Sequence, residues 1–263
     1  MLPRLGQHTT DLSIRMSADL LCMRRTNHED IMLYLDIETL DFFQDPPIAR
    51  LPRPVQLRAM RFGLATLYND QAIPSAAWSQ WWPADRHYPL GRVVWSDGPE
   101  EPGDLADLWR FLMNQTIVGW NIFDFDLPFL MLHVNAEADY PGDPWLDPMQ
   151  IIDLMGILKH ASKGFGRERW YKLQDISTVN LGRGKAGNGQ EAAEWLRSGD
   201  PDLVRRAAAY CREDVQLVIE LFQHAQTAGL LCPARPERNE VGDIRVWLDG
   251  QGTITNVQRE GTM

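Results

Sequence analysis

Cysteine is scarce in this chain. Three Cys occur in 263 residues, at positions 22, 211 and 232. An odd number at wide spacing excludes a disulfide framework, and no Cys-x-x-Cys or Cys-x-x-His pair suggests zinc. Reduced thiols place the expected compartment in the cytoplasm. Long apolar runs are also missing. Arg15, Asp19, Arg24 and Arg25 interrupt the first thirty residues, so neither a secretory h-region nor a membrane span is expected. Positive charge is not in excess either: 26 Lys and Arg face 36 Asp and Glu, for a net charge of −10. A protein that only grips nucleic acid electrostatically is basic. An acidic chain handles phosphates when bound cations supply the positive charge. No internal repeat or low-complexity segment is present. What is present is 44% hydrophobic residues and ten Trp, enough for a substantial core in one large domain or one domain with additions.

Periodicity and breakers predict the elements. Residues 1–28 read as a loose N-terminal extension with a short helix near 17–24. Strands are expected over 31–38, 55–68, 92–96 and 116–120. A helix over 102–115 starts with Asp104 as N-cap and Asp107 three residues later. Another begins near Asp126-Leu127-Pro128, with Pro in the first turn. Further helices are expected over 147–161, over 172–181 ending at Gly182, and over 189–199 closed by Gly199. A long helix follows from Asp200-Pro201 to about Gly229. A hairpin is expected around Asp249-Gly250. This order implies an α/β fold with a mixed sheet.

Three stretches carry chemistry. In "YLDIETL", residues 34–40, Asp36 and Glu38 point to one face of a strand. Paired acids repel and cost desolvation, and are tolerated if they hold a divalent metal. Taken alone, the pair fits a solvent-facing strand equally well. In "IVGWNIFDFDLPFL", residues 117–130, Asp126 either caps the next helix or sits at the C-terminal end of a strand, where α/β sheets place their sites. Asp124 competes for that role. In "AAYCREDVQLVIELF", residues 208–222, Tyr210 and Asp214 share one helix face about 6 Å apart along the axis. Val215, Val218, Ile219 and Phe222 form the adjoining apolar stripe, so Asp214 lies near the core, and Glu213 is the solvated acid.

Together and in this order, the three stretches resemble the DEDD 3′–5′ exonucleases, in the branch with a Tyr-x-x-x-Asp third motif. The middle motif (Asn121, Phe125, Asp126, Pro128) is most similar to the exonuclease domain of family B DNA polymerases, and it selects Asp126 over Asp124. The run "LGRGKAGNG…AAYCREDVQL" looks like standalone exonucleases of the same superfamily. The resemblance covers roughly 31–230 and implies an RNase H-like fold, a five-stranded mixed sheet flanked by helices with a small C-terminal hairpin. The chain then divides into an extension, 1–28, an exonuclease domain, 29–230, and a C-terminal tail, 231–263.

The resemblance also implies two Mg²⁺ or Mn²⁺ ions about 3.5–4 Å apart. Asp36 is expected to bridge them, Glu38 and Asp214 to complete the water-activating site, and Asp126 to serve the second ion. Tyr210 is expected to orient the attacking water, and Asn121, Phe125, Thr39 and Leu40 to contact the substrate. The implied partner is nucleic acid, preferably single-stranded DNA at its 3′ end. The alternatives are an exoribonuclease and a catalytically silent nucleic-acid-binding or partner-docking module. The four acids with Tyr210 argue against the silent module.

Other features are weaker. "GRGKAG", 182–187, matches Gly-x-Gly-x-x-Gly but follows a helix, so it reads as a basic loop rather than a dinucleotide site. Residues 158–185 hold seven Lys and Arg against two acids, and 48–69 hold four Arg and no acid. Either could line a nucleic-acid path or form a solvated face. "WSQWWP", 78–83, could stack bases, but core is favoured by roughly two to one. Cys211 reads as a small buried residue. His160 and His224 sit near the motifs without a required role.

Overall fold

Alternation in "MLYLDIET" builds the central strand, β1 (Met32–Thr39). Leu33, Leu35 and Ile37 enter one core cluster, while Tyr34 enters another. Asp36 and Glu38 therefore share the Tyr34 face. The computed structural model describes residues 32–42, 44, 48–50, 56, 60–69, 77–81, 92–96, 108–109, 112, 115–137, 150–165, 168–234 and 242–260. The expected extension, its short helix, Cys22, Asp104 and Asp107 lie outside them.

β1 pairs antiparallel with β2 (Phe62–Asn69) and parallel with β5 (Thr116–Gly119). β3 (Ala77–Trp81) and β4 (Arg92–Ser96) extend the antiparallel side, and β6 (Gln150–Asp153) pairs parallel with β5. The sheet order is β4-β3-β2-β1-β5-β6. The mixed sheet flanked by helices is as expected, but it has six strands where five were implied. Two stretches account for the revision. The segment 77–81, read as part of a tryptophan cluster, is β3. The predicted helix over 147–161 is divided: Gln150–Asp153 form β6 and only then does α2 (Leu154–Lys163) begin.

Helices cover both faces. Leu127, Phe129 and Leu130 of α1 (Asp126–Glu137) pack with Leu33, Leu35, Ile117, Leu108, Trp109 and Leu112. The last three are helical, within the expected 102–115 helix. Behind the opposite face lie α2, α3 (Leu173–Leu181) and α5 (Pro201–Thr227), which share a cluster with Tyr34, Val118 and Ile152. α4 (Gly189–Ser198) packs Leu196 on Leu40, Leu64 and Val204 of α5. The caps follow the sequence: Gly182 and Gly199 adopt φ of 69° and 68°, and Asp200 accepts from the amides of Asp202 and Leu203.

The expected hairpin, β8 (Ile244–Leu248) and β9 (Ile254–Arg259), gains a third strand, β7 (Leu230–Cys232). Asn180 of α3 ties it down, accepting from Leu231 N at 2.7 Å and donating to Leu231 O at 2.9 Å. Among the described residues, no helix is long and apolar enough to cross a membrane.

Asp153 joins the sheet to the loop that leads into α1. It caps α2 through Gly156 N and also accepts from Asn121 N at 2.9 Å and Phe123 N at 3.1 Å. Asp153→Ala is expected to cost about 2–4 kcal/mol, a cap plus two lost bonds to a charged acceptor. Denaturant titration measures it, and a loss within the error of the wild-type value contradicts this role.

Candidate active site

Three elements deliver four acids to one place. β1 presents Asp36 and Glu38 beside each other on the Tyr34 face. Asp126 opens α1, and its Oδ1 accepts from Ile37 N at 3.1 Å, which locks the helix start onto β1 between those two acids. α5 brings Tyr210, Cys211 and Asp214 across the same face. Asp126 and Asp214 are 3% and 2% exposed, whereas Asp36 and Glu38 keep a partly open edge. Ligand atoms of Asp36, Glu38 and Cys211 all lie within 4.8 Å of one another. The Cys211 thiol donates to Asp36 Oδ2 at 3.1 Å. Glu38 senses the charges of Asp36, Asp214 and Asp126, so the four acids form one electrostatic unit.

That unit resists ionisation. Burial, reinforced by Asp214, pushes Asp36 up to about 7 against the pull of Lys185. Burial and then Asp36 hold Glu38 well above the usual carboxylate range. Burial and Asp36 do the same to Asp126, opposed by the Ile37 amide. Asp214 is raised by burial and opposed by Lys185.

Lys185 is the site residue that sequence reasoning missed. Its ammonium forms an ion pair with Asp214 Oδ2 and lies 4.9 Å from the Tyr210 ring centroid. Burial draws its pKa down, but Asp214 and Asp36 outweigh burial and hold it above the ordinary lysine value. The basic loop after α3 delivers it. Gln174 Oε1 accepts from Lys185 N at 2.6 Å, and a Cβ at Gly184 would meet the Gln174 amide at 2.0 Å. Farther along, a Cβ at Gly187 would touch the Tyr210 ring at 3.4 Å, so the loop runs directly over the site.

The Tyr210 hydroxyl and Asp214 Oδ1 are buried, and the hydroxyl lies close enough to the Asp214 carboxylate and the Lys185 ammonium to interact with both. Burial and then Asp214 push the phenol above its usual range. Asn121 adopts φ of 64°, a conformation Asn tolerates, and its Oδ1 is a further buried acceptor without a partner. Phe125 is half-buried and stacks on Phe129 at 6.0 Å. Asp124 faces solvent and pairs with Lys159 at 3.9 Å, while Asp126 points inward.

Two expected substrate contacts, Thr39 and Leu40, are buried. Leu40 is fully buried against Leu64 and Leu196, and the Thr39 hydroxyl, also buried, donates to Asp41 O at 2.8 Å. The register of β1 on β2 shifts between Glu38 and Thr39, and such an irregularity re-aims the side chains beyond it.

The donor set fits a hard divalent cation. It offers four carboxylates, one with a buried oxygen lacking any partner, on a face with an open edge. Asp36, Glu38, Asp126 and Asp214 would hold the ion.

The raised pKa of Asp36 has a stability consequence. Between its ordinary value of 3.8 and about 7, the folded form keeps a proton that the unfolded form has lost. Its stabilising contribution is complete at low pH and is lost as pH rises through about 7. In chelator, the melting temperature should fall more steeply with pH for wild type than for Asp36→Asn, and equal slopes contradict the assignment. Lys185→Met should cost about 2–3 kcal/mol in chelator at neutral pH. Breaking a fully buried pair costs about 3–5 kcal/mol, and Lys185 is partly exposed.

A family model of the RNase H superfamily, RNase_H_2, matches residues 88–226, more than half of the chain. The matched span contains Asp126, Lys185, Tyr210 and Asp214 and begins after β1. No curated protein matches the chain. Among solved structures, the family B DNA polymerase from the hyperthermophilic archaeon Pyrobaculum calidifontis matches at 16% identity with a TM-score of 0.44. The match covers 76% of this chain but 25% of the polymerase, so the chain spans about a quarter of that protein's length. On the strength of the family match, carried by the span that supplies α1, β6 and the acids of α1 and α5, the chain belongs to the RNase H superfamily.

Proposed function

We propose that the chain is a metal-dependent 3′–5′ exonuclease that releases nucleotides from single-stranded DNA ends. Membership of the RNase H superfamily supports nuclease activity. The observation that carries the reading is the convergence of four mutually repelling acids from β1, α1 and α5, at a point where Glu38 senses the other three. A binding module gains nothing from that arrangement, and a cation-assisted hydrolase requires it. The preference for DNA rests on the middle motif, Asn121 to Pro128.

Bound Mg²⁺ or Mn²⁺ would supply Lewis-acid charge neutralisation and an acidified water. The chain's own groups do the rest. Glu38 lies beside Asp36 and would orient the attacking water together with Tyr210. The Tyr210 hydroxyl, buried beside Asp214 and Lys185, would hold that water in line. Lys185, close to both Tyr210 and Asp214, adds positive charge where negative charge develops on the phosphate. Asn121 and Phe125, on the loop anchored by Asp153, would meet the terminal nucleotide.

The deciding experiment incubates the protein with 3′- or 5′-labelled DNA and RNA oligonucleotides in Mg²⁺, Mn²⁺ or chelator. Stepwise release from the 3′ end, faster on DNA and absent in chelator, supports the reading. Faster release from RNA replaces it with the exoribonuclease, and no release in any metal leaves the silent module.

Asp36→Ala should abolish release while leaving the fold intact. Mg²⁺ should raise the melting temperature of wild type and not of Asp36→Ala, because the ion binds only the folded site. Tyr210→Phe should retain metal binding and lower turnover about 10²-fold, the lower end for removal of a positioned catalytic group. An unchanged rate in Tyr210→Phe removes the tyrosine from the mechanism.

A further inference from the structure

A nuclease must also hold the strand beyond the bond it cuts, and a chain of net charge −10 has to do so with a local surface. The face formed by α2 and the loop after it departs from the average. On it Lys163 and Lys172 are exposed, while Arg169 is buried and Lys159 is paired with acids. Among the described residues, Trp170 is an exposed large apolar side chain, 49% open. It is nevertheless firmly placed. Its neighbours Arg169 and Tyr171 are buried, and both terminal nitrogens of Arg169 donate to Gly242 O at 3.1 Å.

Lys159 joins this indole to Asp124, an exposed acid on the loop that leads into α1. Its ammonium lies 3.7 Å from the Trp170 ring centroid and 3.9 Å from Asp124 Oδ2, two residues before Asp126. Glu168 is a second long contact at 3.8 Å, so Lys159 is partly neutralised. One turn along α2, the exposed Lys163 and His160 border an open groove of about 470 Å³, which Phe165, Ile254 and Val257 also line. The Arg259 guanidinium sits 5.7 Å from the Phe165 ring centroid. Aromatic faces paired with cations, here Trp170 with Lys159 and Phe165 with Arg259, are features that hold single strands without reading their sequence.

We propose that this face is the path of the single strand upstream of the cleavage site, with Trp170 stacking on one base and Lys163 and Arg259 meeting phosphates. The proposal rests on the nuclease reading. It specifies an unpaired strand, because stacking on an exposed indole needs the free face of a base.

The test measures anisotropy of labelled single-stranded DNA and RNA oligonucleotides with hydrolysis-resistant phosphorothioate linkages, bound to the full chain in Mg²⁺. Trp170→Ala should weaken binding about 5- to 100-fold, the loss of one stacked base, and Trp170→Phe should restore most of it. Lys163→Ala should lower the slope of log affinity against log salt by about 0.7, one phosphate contact on a single strand. A Trp170→Ala affinity within about twofold of wild type overturns the path. Should Trp170→Ala fail to fold, an unchanged salt slope in Lys163→Ala overturns it instead. A wild type that neither binds nor cleaves brings down the nuclease reading itself, whereas cleavage with unchanged variant affinities brings down only the path.

Discussion

The burial of Asp36, Glu38, Asp126 and Asp214 at one place, with the repulsion it sharpens, is the constraint around which this protein is built. Each acid comes from an element held in place by other forces. β1 is pinned between β2 and β5 at the centre of the sheet. α5 is buried along its length by Val204, Ala207, Cys211, Val215, Val218 and Phe222. The start of α1 is fixed by the bond from Ile37 N to Asp126. Apolar burial thus holds together charges that would otherwise separate. The strain is visible as carboxyl groups that retain protons far above their ordinary range.

Lys185 relieves part of that repulsion from within the chain. It stands in a loop shaped by Gln174 and by the left-handed cap at Gly182, and it meets the acid that α5 buries most deeply. Tyr210 lies beside it, with its buried hydroxyl close to Asp214. Counter-charge, buried acids and a hydroxyl are brought together at one place.

How much of this was legible depended on the range of the determining interaction. The caps at Gly182, Gly199 and Asp200-Pro201 are local, and they stand where the residues indicate. The helix start was legible because Pro128 marks a first helical turn and a strand precedes it, whereas the choice of Asp126 over Asp124 came from the resemblance of the middle motif. β6 was not, because Ile151, Ile152, Met155 and Leu158 follow one another at helical spacing and only pairing with β5 makes the first four residues a strand. β3 was hidden inside a tryptophan-rich stretch, where composition spoke louder than alternation. The burial of Leu40 was not legible, because a register shift after Glu38 is a property of two strands, not one. Lys185 carried no signal in a Gly-rich loop, since its position depends on Gln174 in the helix before it.

The most direct measurement of the central claim is anomalous diffraction from crystals of the protein loaded with Mn²⁺. The account predicts anomalous density bounded by Asp36, Glu38, Asp126 and Asp214, under the loop that carries Lys185. Manganese density elsewhere, with those four carboxylates contacting only protein and water, would contradict it.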